Sequence, residues 1–288
     1  MENLNHNPGK NFTNISWVFF GSDNFSTKVL DTIIGFNIKP NLIVTTPDRP
    51  QGRKLLLTPP RVKIWAQENN IPIIQPENFT DLPRELTDHK FDLGLVASYG
   101  KILPQNVLDL FGGKLLNIHP SLLPKFRGAT PLESAILSEG DTTGVSLMIM
   151  DALMDHGPIL AQKETAINNK DYLNLRDELA EIGAELFINY GYLLHTGQIE
   201  SKNQNHDLAT YTKKINKSDG EIKLTDDPIL NWKKYRAFSD WPGIFFFTPD
   251  NKRIKITQAH LESNQFVIDK VIPEGKKEMI WESFNRNL

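Results

Sequence analysis

Short apolar blocks separated by polar turns dominate the first two thirds of the chain. Residues 15–20 (ISWVFF), 41–46 (NLIVTT), 71–74, 91–96 and 114–118 are continuous runs of strand length, the pattern of strands covered on both faces. Between them, residues 25–34 carry the three- and four-residue apolar spacing of a helix ending near Gly35. Helical spacing recurs at 62–68, 103–110 and 131–139, the last stopping at Gly140. Residues 144–150 (GVSLMIM) read as a further strand, 157–167 as its antiparallel neighbour, and 172–195 as a long closing helix. Strands alternating with helices predict an α/β fold with a Rossmann-like, mostly parallel, doubly wound sheet.

Two stretches break this rhythm. Residues 47–63 (PDRPQGRKLLLTPPRVK) read as a long loop rich in Pro, Arg and Lys, and 197–207 (GQIESKNQNHD) as a polar linker. Beyond the linker, apolar runs at 244–248 and 253–258 predict a small β domain. The expected organisation is a disordered leader at 1–14, an α/β domain over 15–196, the linker at 197–207 and the β domain over 208–288.

Composition narrows the chemistry. The 288 residues are 39% hydrophobic and 23% charged, enough apolar material for a sizeable core. There is no cysteine, which excludes disulfides, thiolate catalysis and Cys-ligated metals. The polar N-terminus lacks the apolar core of a signal peptide, and no apolar run has transmembrane length, so a cytoplasmic protein is expected. Net charge is −3, but 14 Lys and Arg stand against 12 Asp and Glu from residue 205 onward, leaving the earlier part the more acidic. Any contact with a polyanion is therefore local.

The candidate chemistry centres on residues 115–128 (LLNIHPSLLPKFRG). Asn117 and His119 lie two apart on a strand, so both leave one face, and Pro120 holds His119 extended. They would emerge at the carboxyl end of the strand, where open α/β sheets place ligand crevices. A metal pair, a triad fragment and ordinary polar residues at a sheet edge are all compatible with that spacing, although no metal-ligand spacing accompanies it. Asp155 follows the 144–150 strand and is expected at the same edge. An amide, an imidazole and a carboxylate converging on a crevice supply an oxyanion donor, a proton carrier and a group that orients the imidazole. No Ser or Cys is placed as a nucleophile, so an external amine would fill that role. The first βα turn, GSDNFS, lacks the G-x-G-x-x-G fingerprint, so NAD or FAD is not expected.

These residues resemble a known family. Asn117-x-His119-Pro120-Ser121-Leu122-Leu123-Pro124, with Arg127–Gly128 and Asp155-x-Gly157, is similar to the signature of the folate-dependent formyltransferases. The resemblance implies 10-formyltetrahydrofolate as donor and no metal. It also implies Asn117 on the formyl oxygen, His119 as proton shuttle, and Asp155 holding the histidine. Residues 45–63, 97–104 (ASYGKILP), 211–222 and 235–246 resemble the branch whose acceptor is initiator methionyl-tRNA. That branch implies a pterin contact at Ser98, Tyr99, Gly100 and Ile102, a folate-contacting wall at Ser121, Leu122, Leu123 and Pro124, and tRNA contact through Arg49, Arg53, Lys54, Arg61 and Lys63. Those five cations face only Asp48 within their loop, and phosphate contacts of this kind give salt-dependent affinity. A monomer is expected. The C-terminal domain would be an oligonucleotide-binding-type barrel, here truncated, with one or two strands between Ile256 and Pro273 where about five are needed to close a barrel. An amino sugar on a nucleotide or glycinamide ribonucleotide is an alternative acceptor, and a non-catalytic RNA-binding protein is the reading from another class.

Overall fold

The computed structural model describes residues 12–52, 54–80 and 82–286. Residues separate into two compact units. One comprises the chain up to Arg127 with Gly144–Glu164 and Asp177–Thr210; the other comprises Gly128–Thr143, Thr165–Arg176 and the chain from Tyr211 onward.

The first unit is built on a seven-stranded sheet in the order β5-β2-β1-β6-β7-β8-β9. Its strands are β1 (Trp17–Phe20), β2 (Leu42–Val44), β5 (Ile73–Ile74), β6 (Leu93–Val96), β7 (Leu115–His119), β8 (Thr142–Ile149) and β9 (Ile159–Ala166). The first five of these pair in parallel, and β7 with β8 is antiparallel. Ile149 N–H donates to the Pro158 carbonyl at 2.9 Å while Gly144 lies against Lys163, so β9 also runs antiparallel to β8. The parallel strands are the continuous apolar runs of the sequence because both faces are covered. Val18, Phe19 and Phe20 are all fully buried. On one face, Val18, Phe20 and Val96 pack with Tyr99, Leu103 and Phe111. On the other, Trp17 meets Phe187 of the long helix α6 (Tyr172–His195), ring centroids 5.0 Å apart. Gly183 lets that helix approach, since a Cβ there would lie 2.3 Å from Ile118 Cγ2.

Helices α1 (Asn24–Gly35), α2 (Arg61–Glu68) and α4 (Gln105–Asp109) fall where the apolar spacing predicts. Asp23 caps α1, its carboxylate accepting from Ser26 N–H. Helix α3 (Leu82–Thr87) has too few turns to show a period and was not expected. The 47–63 stretch is not plain loop: β3 (Arg49–Gln51) and β4 (Leu56–Thr58) form an antiparallel hairpin. A ribbon exposed on both faces carries no apolar alternation, which is why the pattern hides it. Of the expected leader, residues 1–11 lie outside the described residues, while Phe12 is buried and sits 5.3 Å from Phe187.

The second unit contains α5 (Pro131–Leu137), α7 (Pro228–Ala237) and an antiparallel sheet in the order β10-β11-β12-β13. Its strands are β10 (Ile244–Phe247), β11 (Arg253–Glu262), β12 (Gln265–Pro273) and β13 (Met279–Ile280), followed by α8 (Trp281–Asn285). Both packed helices carry Pro in the first turn, where its missing N–H costs nothing. Among the described residues the sheet has four strands, and its edges are blunted. β13 is two residues long, and β10 is bridged on its outer side by Glu221.

Candidate active site

The strand order reverses between β1 and β6, so the carboxyl ends of β1, β6 and β7 open a crevice. Register fixes what faces it: Phe20 pairs with Val96, and Val96 with Asn117. Ile118 points to the opposite face against Gly183, which leaves Asn117 and His119 together on the other side. Asn117 is half-buried and His119 is buried.

The two nitrogens of His119 have different partners. Nε2 lies 2.9 Å from the Phe126 carbonyl, an acceptor only, so Nε2 carries the proton and donates it. Nδ1 faces Asp155 Oδ1 at 3.5 Å, ion-pair rather than hydrogen-bond distance, and the Asp155 side chain is largely buried. Asp155 has φ +50°, a left-handed conformation uncommon for a residue with a Cβ. Gly157 follows because the chain touches β8 there: a Cβ would lie 2.0 Å from the Ile149 carbonyl oxygen. With Nε2 committed to a backbone carbonyl, any proton exchanged at this imidazole passes through Nδ1.

A cavity of about 490 Å³ lies between α4 and the 150–153 turn that leads to Asp155, lined by Leu108, Asp109, Met150, Asp151 and Leu153 among others. Apolar walls with two carboxylates suit a flat heteroaromatic ring bearing N–H donors. Asp151 is held in place, accepting from Leu153 N–H at 3.0 Å and paired with His156 at 2.6 Å, and its oxygens keep acceptor capacity. The residues present thus fit a pterin-bearing group. None of these lining residues was singled out from sequence; the one signal for Met150, Asp151 and Leu153 was position, between the β8 strand and Asp155.

The residues expected at a cofactor scatter. Ser98 and Gly100 are exposed and Ile102 is 85% exposed near the crevice, with Ser98 Oγ donating to Asp23. Tyr99 belongs to the core, packing on Phe20, and burial pushes its hydroxyl up to about 12, far from any acid–base role near neutrality. Ser121 is buried, its hydroxyl donating to the Lys125 carbonyl at 2.6 Å. Leu122 is half-buried, while Leu123 and Pro124 line a second cavity, of about 540 Å³, with residues 159–162, 199–200 and 202–205.

The basic stretch is partly neutralised. Lys63 pairs with Asp48 at 2.8 Å, and Asp48 also accepts from Gln75; these two hydrogen bonds hold the carboxyl below its usual range. Arg49 pairs with Glu77 at 2.9 Å on the exposed surface, a pairing of small energetic weight. Lys54 and Arg61 are exposed beside the exposed Leu55, Leu56 and Leu57; Arg53 lies outside the described residues. Among the described residues no group of three His, Cys, Asp or Glu could hold a metal ion, and no helix is long and apolar enough to cross a membrane.

Residues 14–190 match the family described as formyl transferase, and 214–267 match the formyl transferase C-terminal domain. A methionyl-tRNA formyltransferase of Chloroflexus aurantiacus is 40% identical over 233 residues, 80% of this chain and 75% of that protein. Its counterpart in Campylobacter curvus is 37% identical over 79% of this chain and 76% of that protein. Among solved structures, an N-formyltransferase from Helicobacter canadensis, in complex with folinic acid and dTDP-3-aminofucose, shares the fold. Its TM-score is 0.64 at 22% identity, covering 86% of this chain and 88% of that one.

Proposed function

This chain belongs to the formyl transferase family, and from that premise we propose that it transfers the formyl group of 10-formyltetrahydrofolate to the methionine α-amino group of initiator methionyl-tRNA. The observation that carries the reading is the placement of Asn117 and His119 on one face of β7 with Asp155 opposite the imidazole. A folate donor, when bound, supplies the formyl carbon that the amine attacks. The Asn117 amide would donate to the formyl oxygen as negative charge grows there. His119, held by the Phe126 carbonyl at Nε2, would receive the amine's proton at Nδ1 and return it to the leaving nitrogen, while Asp155 stabilises the imidazolium. Leu108, Met150 and Asp151 would hold the pterin. Lys54 and Arg61, exposed on and just after the hairpin, would meet acceptor phosphates. The methionyl-tRNA formyltransferase relatives support the tRNA acceptor over an amino sugar, since the sugar enzymes are matched only at the level of fold.

The test is transfer of labelled formyl from 10-formyltetrahydrofolate to charged initiator tRNA, in parallel with nucleotide-linked amino sugars and glycinamide ribonucleotide. Faster transfer to either small acceptor would overturn the tRNA assignment. His119→Ala and Asp155→Ala should lose turnover while folate binding persists, and equal loss of both would reduce the pair to a structural role.

A further inference from the structure

The segment 204–210, which begins in the stretch read as a linker and runs three residues past it, holds both partners of His119. Gln204 is 6% exposed. Its Nε2 donates to the carbonyls of Asp155 at 2.9 Å and Gly157 at 2.7 Å. Its Oε1 accepts from Nη2 of the buried Arg127 at 2.6 Å, and the same Nη2 donates to His206 Nδ1 at 2.8 Å. At the other end of the segment, Thr210 Oγ1 accepts from Phe126 N–H at 2.8 Å, and the Thr210 carbonyl accepts from Arg127 N–H at 2.8 Å. The Thr210 N–H in turn donates to the Pro124 carbonyl at 3.2 Å.

These bonds land on the two peptides that define the histidine. Phe126 supplies the carbonyl that takes the Nε2 proton, and Asp155 supplies the carboxylate opposite Nδ1. Both residues have left-handed backbones, φ +58° and φ +50°, a conformation that side chains with a Cβ keep only where surroundings impose it. Here the surroundings are Thr210 on one and Gln204 on the other. We propose that Gln204 and Thr210 are positioning residues that fix the tautomer and orientation of His119 by clamping the Phe126 and Asp155 peptides. Its catalytic consequence rests on the reading of His119 as proton carrier. Loosening the Phe126 peptide frees its carbonyl to turn from Nε2, and the imidazole then populates both neutral tautomers. The fraction with its proton acceptor at Nδ1 falls, so turnover drops while the folate cavity, built from α4 and residues 150–153, keeps its affinity.

Thr210→Val removes the acceptor at nearly constant shape, and Thr210→Ser restores it. Gln204→Leu and Gln204→Glu probe the other end, the glutamate keeping the bond from Arg127 but losing the donor to the two carbonyls. Nitrogen-15 spectra of the imidazoles, with His119 identified by its loss in His119→Gln, read the tautomer without requiring activity. The expected result is a single Nε2–H form in the wild type and in Thr210→Ser. Thr210→Val should give averaged tautomers, while Gln204→Glu, which loosens Asp155 and leaves the Phe126 carbonyl on Nε2, should keep the Nε2–H form. Both should lower kcat by roughly 10- to 100-fold, the scale of a displacement of about 1 Å at a reacting group, with donor KM unchanged. A single Nε2–H form persisting in Thr210→Val overturns the proposal, as does equal loss in Thr210→Ser and Thr210→Val, or wild-type kcat in Gln204→Glu. Should the wild type transfer formyl to no acceptor while its tautomer still responds to Thr210→Val, the clamp stands and the catalytic reading fails.

Discussion

Glu133 offers a pH test of the second unit. It sits in the first turn of α5, with Leu132, Ala135 and Ile136 of the same helix buried around it. Burial disfavours its charged form and, with a smaller push from Asp240, raises its pKa from 4.5 to about 7. In the unfolded chain the carboxyl titrates near its ordinary value, so between pH 4.5 and 7 the folded protein holds a proton that the unfolded chain has released. The stability tied to that proton is fully present below pH 4.5 and is lost as pH rises through 7. Each tenfold change in proton affinity is worth about 1.4 kcal/mol, so the difference approaches about 3 kcal/mol by pH 8, an upper bound because part of the side chain reaches water. Glu133→Gln keeps the shape and cannot ionise, so it should match the wild type at pH 4.5 and exceed it in stability at pH 8 by up to that amount. Urea unfolding followed by tryptophan fluorescence measures this, since Trp232, Trp241 and Trp281 all lie in the second unit. A glutamine variant whose advantage is the same at both pH values, or absent at pH 8, refutes the burial argument.

Two other substitutions probe the first unit. Gly183→Ala places a methyl 2.3 Å from Ile118 Cγ2 on the strand that carries Asn117 and His119. It should cost about 1–3 kcal/mol of stability by overpacking, read in thermal unfolding, with part of the loss recovered by Ile118→Val. In the basic hairpin, Lys54→Ala and Arg61→Ala should weaken tRNA binding and flatten its dependence on log salt by about 0.7–0.9 for each phosphate no longer neutralised. Lys63→Ala should instead lower stability with little change in that slope, because its charge is engaged by Asp48.

How far the sequence could be read depends on the range of the interaction involved. The parallel strands were legible because covering both faces demands unbroken apolar runs, and Trp17–Phe20, Leu93–Val96 and Leu115–His119 all fall within or at the end of them. Helix α6 matched its expected bounds from 172 to 195 because a long helix repeats its period many times. The β3–β4 hairpin, with neither face buried, left no such trace. Residues 121–124, a folate-contacting wall by resemblance, gave no sign in sequence of their burial: Ser121 and Leu123 are buried and the Ser121 hydroxyl donates to the Lys125 carbonyl.

Sequence alone determined that Asn117 and His119 share a face, since alternation along a strand is a property of the backbone and needs no partner. It also determined that a carboxylate would follow the next strand. Tertiary structure decided everything that depends on residues far apart in the chain. It set which ring nitrogen of His119 is committed, through the Phe126 carbonyl, and how near Asp155 comes. It also decided that a polar stretch resembling a linker would supply Gln204, 49 positions beyond Asp155, to hold that loop in place. A hydrogen bond across such a separation leaves no periodicity behind; it exists only once the sheet, its edge strands and the returning chain have been assembled.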